Sequence, residues 1–121
     1  MTNPERRAEV RLKVTEISVE VYEGGQQRYP SVKGRAIDLA TSGMKIELYM
    51  RVHMEKETPL FVNFSLPNGT SFFRKKALVA WQSFKPRTVT MGITFIEHAE
   101  EDRKKIRAFL ANKGNQSNAN S

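Results

Sequence analysis

Residues 37–48, "IDLATSGMKIEL", decide how the chain is read. Two alternating runs, one ending at Leu39 and one resuming at Met44, are separated by Ala40-Thr41-Ser42-Gly43. Apolar alternation with period two on both sides of a short polar break predicts two strands joined in a hairpin. Asp38 sits at the junction, where its carboxylate either makes an Asx-type bond to the turn or faces a ligand. Gly43 suits both readings, because glycine permits positive φ and close approach of the backbone.

The same pattern runs outward from this hairpin. Upstream, Leu12 and Val14, then Ile17, Val19 and Val21, predict a strand whose alternation slips near Thr15-Glu16. "EGGQQRYPS" (23–31) is a loop and "VKGRAIDL" (32–39) a strand. Downstream, "RVHMEKETP" (51–59) is a polar connector and "LFVNFSL" (60–66) a strand. In "PNGT" (67–70) the Asn-Gly pair predicts a tight turn with positive φ at both Asn68 and Gly69. "SFFRKKALVAWQSF" (71–84) and "RTVTMGITFI" (87–96) complete about six short strands, which predicts a small antiparallel barrel. Phe61, Phe64, Phe72, Phe73 and Phe95 are assigned to its core rather than to an exposed stacking platform.

After His98 the period changes. Ile106, Phe109 and Leu110 fall at i, i+3 and i+4 and predict a helix over 98–113. Glu100, Glu101 and Asp102 suit its positive N-terminus, and Glu100–Lys104 and Glu101–Lys105 are spaced to pair. Gly114 reads as the stop, and residues 114–121 as a disordered polar tail.

Length and composition bound the function. The 121 residues fit one domain, and 39% hydrophobic with 27% charged residues is a soluble globular composition. No cysteine is present, which excludes disulfides, thiolate zinc sites and thiol catalysis and suits a cytoplasmic location. No apolar run approaches the ~20 residues of a membrane span, and the N-terminus lacks the core of a signal peptide. A net charge of +7 favours an anionic partner. Catalysis has little to work with: His53 lies in a polar connector and His98 at a helix start, both read as ordinary exposed histidines, and no phosphate loop or metal signature is present. The chain is expected to be a binding module, with no enzymatic activity, cofactor or metal.

Two clusters remain. Arg6, Arg7 and Arg11 in "ERRAEVR" (5–11) form either a solvated basic arm or a set of guanidiniums that pair with phosphate and stack on bases. The second is the Asp38–Gly43 turn, whose carboxylate could accept two N–H bonds from a guanine edge.

Together these clusters resemble a known family. Arg7-Ala8-Glu9-Val10-Arg11 fits RxxxR, and Asp38-Leu39-Ala40-Thr41-Ser42-Gly43 fits DxSxxG except at its serine. With "ALVAWQ" (77–82) and "MGITFIEH" (91–98) as late strands, residues 5–111 resemble the PilZ domain. The resemblance implies a six-stranded antiparallel β-barrel (12–97) with a C-terminal α-helix, preceded by a flexible arginine arm (1–11). It also implies a bacterial receptor for cyclic di-GMP. Arg6, Arg7 and Arg11 would then hold phosphates and stack on guanines, Asp38 would read a guanine edge, and Gly43 would give the turn room. Trp81 is either a base-packing residue at the rim or a core aromatic. Ala40 stands where the motif has serine, so a hydroxyl that could bond the ligand or brace the turn is missing; one neutral hydrogen bond is worth about 0.5–1.5 kcal/mol. The implied outputs are motility, polysaccharide or biofilm control through a downstream effector protein. Two further readings stand beside this one. One is a PilZ-like adaptor that binds a motility or pilus protein without nucleotide, and the other is a small nucleic-acid-binding barrel, which the missing aromatic platform disfavours.

Overall fold

The computed structural model describes residues 11–14, 17–23, 31–50, 54, 56–57 and 59–119. Among the described residues seven strand segments occur in the order β1 (Arg11–Lys13), β2 (Ser18–Glu23), β3 (Val32–Ala40), β4 (Gly43–Leu48), β5 (Pro59–Ser65), β6 (Ser71–Phe84) and β7 (Val89–Phe95), followed by α1 (Glu100–Ala119). Every pairing is antiparallel, and the ladder β3–β2–β5–β6–β7–β4 returns to β3. The barrel therefore has six staves, because β1 and β2 both pair with β3 and form one interrupted stave. Lys13 opposes Asp38 and Ser18 opposes Arg35, and the slip expected at Thr15-Glu16 lies outside the described residues. Beyond the two ladders, Val14 N–H donates to Ile37 O (2.9 Å) and Ala36 N–H to Ile17 O (2.8 Å).

The inward side chains follow the alternation. Val19, Val21, Ala36, Leu39, Ile46, Leu48, Leu60, Val62, Ala77 and Val79 are all at most 3% exposed. Phe64 stacks on Phe72 and Phe95 with ring centroids 4.8 and 6.0 Å apart. Ile106, Phe109 and Leu110 of α1 join the same core, so one helical stripe and six staves share one interior.

Four expectations need correction. Phe73 is 77% exposed and Phe61 is only half-buried, with the Arg74 guanidinium 5.1 Å from its ring. Phe61 falls between the inward Leu60 and Val62, and Phe73 is displaced by an irregularity in β6: Phe64 opposes Phe72 while Val62 opposes Lys75, leaving Phe73 and Arg74 facing Asn63 alone. Arg74 takes φ 57°, its N–H is held by Asn63 Oδ1 at 2.7 Å, and Phe73 turns to solvent. In the β5–β6 turn, Gly69 has φ 96° but Asn68 has no positive φ. Gly69 N–H bonds Leu66 O at 2.9 Å, so Pro67 and Asn68 form a type I turn followed by a left-handed glycine. Proline's fixed φ supports this arrangement at its first central position.

The helix runs to Ala119, beyond the expected stop. Glycine inside a helix costs only about 1 kcal/mol relative to alanine, so Gly114 is carried within it and residues 115–119 are not an unstructured tail. Among the described residues Glu100 pairs with Arg103 at 3.8 Å and Asp102 with the buried Lys75 at 2.9 Å; the expected i,i+4 pairs do not form. Glu100 finds its partner one residue nearer than Lys104, and Asp102 reaches across to β6.

Candidate ligand site

Asp38 and Trp81 both face outward because of single-residue bulges. Ala36 opposes Ile46 and Asp38 opposes Lys45, which makes Ile37 the extra residue in β3. Val79 opposes Ile93 and Trp81 opposes Gly92, which makes Ala80 the extra residue in β6. Each bulge shifts the alternation by one, so side chains that the period would send inward emerge on the outer face. Trp81 is accordingly 45% exposed and not part of the core.

Gly92 completes the placement of Trp81. A Cβ at Gly92 would lie 2.2 Å from the indole Nε1, so the ring occupies the space a side chain there would need. Gly43 has a different task from the one its motif position suggests. The turn contains no positive φ, and a Cβ on Gly43 would lie 2.1 Å from Ile93 O. The close approach that requires glycine is to β7, where Gly43 pairs with Thr94.

The turn itself is braced by its carbonyls. Phe95 N–H donates to Ser42 O at 2.8 Å, and His98 Nε2–H donates to Thr41 O at 2.8 Å. His98 is thus part-buried against the Phe95 ring, 5.1 Å between centroids, and not an ordinary exposed histidine. Its Nδ1 is buried without a partner among the described residues. Burial first, then the nearby Lys75 charge, lowers its pKa below the usual 6.5. Ala40 is fully buried and pairs with Arg11 and Gly43. The turn is braced through Thr41 O and Ser42 O, without a hydroxyl at position 40.

Arg11, Asp38 and Trp81 line one pocket of about 390 Å³, together with Lys45 and residues 92–94 of β7. Arg11 is the first residue of β1, paired with Ala40, so it belongs to the barrel and not to an arm. Its Nη1 is 2.5 Å from Asp38 Oδ1, with the two side chains 44% and 15% exposed. Arg6, Arg7 and His53 lie outside the described residues. Lys45 was not singled out from the sequence. Its signal is its register: it stands opposite Asp38 on one side and Gly92 on the other. Among the described residues no cluster of three or more potential metal ligands occurs, and no helix is long and apolar enough to cross a membrane.

A family model for the PilZ domain matches residues 5–112. The chain belongs to the PilZ domain family. Solved PilZ structures agree with the fold. The complex of Escherichia coli YcgR with c-di-GMP aligns with a TM-score of 0.76 at 12% identity, covering 95% of this chain and 49% of that one. Bacillus subtilis MotI/DgrA, an inhibitor of motility, aligns at 0.74 and 15% identity, covering 92% and 52%. The PilZ domain of YcgR with c-di-GMP aligns at 0.72 and 11% identity, covering 95% and 96%. This chain spans about half the length of the two longer proteins. No curated protein matches the sequence. At these identities the likeness concerns the PilZ barrel and helix.

Proposed function

We propose that this PilZ domain is a cytoplasmic receptor for cyclic di-GMP that passes the signal to a partner protein and catalyses nothing. The observation that carries the reading is the convergence of Arg11, Asp38 and Trp81, from three separated parts of the sequence, on one outward pocket. Cyclic di-GMP offers two guanines and two phosphodiesters. Asp38 accepts N–H bonds from a guanine edge, the indole of Trp81 lies beside the base, and Arg11 exchanges its carboxylate partner for a phosphate. Arg6 and Arg7 are proposed to add phosphate contacts from the preceding residues, and the buried Ala40 and Gly43 shape the turn without touching the ligand. Opening the Arg11–Asp38 pair costs little, since exposed ion pairs contribute about 0–1 kcal/mol. Charge-assisted bonds of about 1.5–3 kcal/mol each outweigh it.

Two neighbours carry c-di-GMP in their structures and a third is an inhibitor of motility, which supports the ligand class and motility as one output. Polysaccharide or biofilm control is equally compatible with this chemistry. Titration calorimetry with cyclic di-GMP tests the reading. Saturable heat is expected; no heat from folded protein at tens of micromolar would refute it. An adaptor that captures a motility or pilus protein without nucleotide is the second reading, favoured by the same ion pair, which satisfies Arg11 and Asp38 in the absence of any ligand.

A further inference from the structure

We infer that Lys45 is a phosphate-binding residue of this pocket, held against the face of Trp81 until the ligand base takes that face. The inference rests on the cyclic di-GMP reading and adds a residue that neither the arginine motif nor the turn motif contains.

Four observations carry it. Lys13, Asp38, Lys45, Gly92 and Trp81 form one cross-strand row over β1, β3, β4, β7 and β6. Lys45 is the neighbour of Asp38 in that row, and directly opposed residues have Cβ atoms about 4.5–5.5 Å apart. Because Gly92 has no side chain, the indole lies over it, and Lys45 Nζ sits 5.8 Å from the indole centroid. That distance is within reach of a cation–π contact. Finally, Arg11 and Asp38 neutralise each other at 2.5 Å, whereas Lys45 has no ion pair among the described residues. Among the described residues the pocket thus holds one positive charge without an anion.

An incoming dianion changes these pairings in a defined way. A guanine edge occupies Asp38, which releases Arg11. The base packs on Trp81, which displaces the ammonium from the ring. The flexible four-carbon stem of lysine then lets Lys45 follow its charge to the nearest phosphate. Its contribution in the empty protein is a cation–π contact at an exposed ring, worth less than a charge-assisted bond. The difference favours the bound arrangement.

Trp81 is the single tryptophan, so its emission reports this pocket alone. The test compares wild type, Lys45→Met and Lys45→Arg, each titrated with cyclic di-GMP by calorimetry and by Trp81 emission at low and high salt. Methionine keeps the apolar stem and removes the charge. Lys45→Met is expected to weaken binding about tenfold at low salt, the loss of one charge-assisted contact. The loss should shrink at high salt, and Lys45→Arg should restore most of the affinity. Wild-type binding with Lys45→Met within twofold of it would overturn the role of Lys45 and leave the receptor reading standing. A loss equal at both salt concentrations, or one that arginine fails to rescue, would also overturn it. Absence of wild-type binding would overturn the receptor reading itself, and this inference with it.

Discussion

Two concave outer faces of the barrel differ among the described residues, and the larger is chemically the quieter. A groove of about 790 Å³ lies across β2, β3, β5 and β6, edged by the exposed Tyr49 and Phe73. Several of its polar side chains are already bonded: Glu20 accepts from Ser31 at 2.9 Å and Asn63 at 3.4 Å, Asn63 also accepts from Arg74 N–H, and Ser65 bonds Ser71 at 2.8 Å, while Lys33, opposite Glu20 in the ladder, has no ion pair among the described residues. The pocket at Asp38 has half that volume, yet it holds an exchangeable ion pair, a lysine with no ion pair among the described residues and an indole face. Groups already satisfied within the protein gain little from a ligand. Groups held by weak, exchangeable contacts gain much. Size is therefore the poorer guide to the proposed site.

The sharpest way to break this contrast is substitution on both faces. Arg11→Ala or Asp38→Ala should weaken cyclic di-GMP binding by about 10–100-fold, the worth of one charge-assisted contact. Phe73→Ser should leave affinity within twofold. Calorimetry checks both, with circular dichroism to confirm folding; comparable losses on the two faces would erase the distinction.

Next comes the packing beneath the pocket. Gly43→Ala places a Cβ against backbone of β7, and a urea midpoint should show a loss of about 1–3 kcal/mol, typical of overpacking. Gly92→Ala meets the movable indole of Trp81 instead. It should shift Trp81 emission and weaken the ligand while costing less stability than Gly43→Ala.

His98 sharpens the comparison through pH. Its folded-state pKa lies below the ordinary 6.5, so the unfolded chain binds the proton more readily. Stability is thus fully present above about pH 6.5 and falls as pH drops through 6.5 toward the lower folded value. Thermal midpoints from pH 8 to 5 should show this decline. His98→Gln, which keeps a donor for Thr41 O, should flatten it; an unchanged slope would mean other groups cause it.

The smallest effect is expected at Ala40. Ala40→Ser adds a hydroxyl at a fully buried position in a turn whose carbonyls are already held. Affinity should change by about two- to threefold, the low end of one net hydrogen bond.

Much of this architecture was legible from period alone. The staves, the hairpin at 41–42 and the apolar stripe of α1 follow from alternation and from i, i+3, i+4 spacing. Asp38 and Arg11 were legible through the paired motifs, and the structure brings them together with Trp81. Residue type did not reveal the bulges. Ile37 and Ala80 look like ordinary strand residues, yet they decide that Asp38 and Trp81 face outward. Phe72 and Phe73 are chemically identical, and only the kink at Arg74 separates a core ring from an exposed one. Lys45 was missed because a lysine between Met44 and Ile46 reads as routine solvent-facing polarity. Its meaning depends on what stands across the ladder, and register is a property of the fold.

The most direct test of the two-face account is an amide NMR titration of the protein with cyclic di-GMP. Shifts are expected at residues 11–13, 38–45, 80–82 and 91–94, with residues 18–20, 63–65 and 71–73 unmoved. Shifts concentrated in the larger groove, or none on either face, would contradict it.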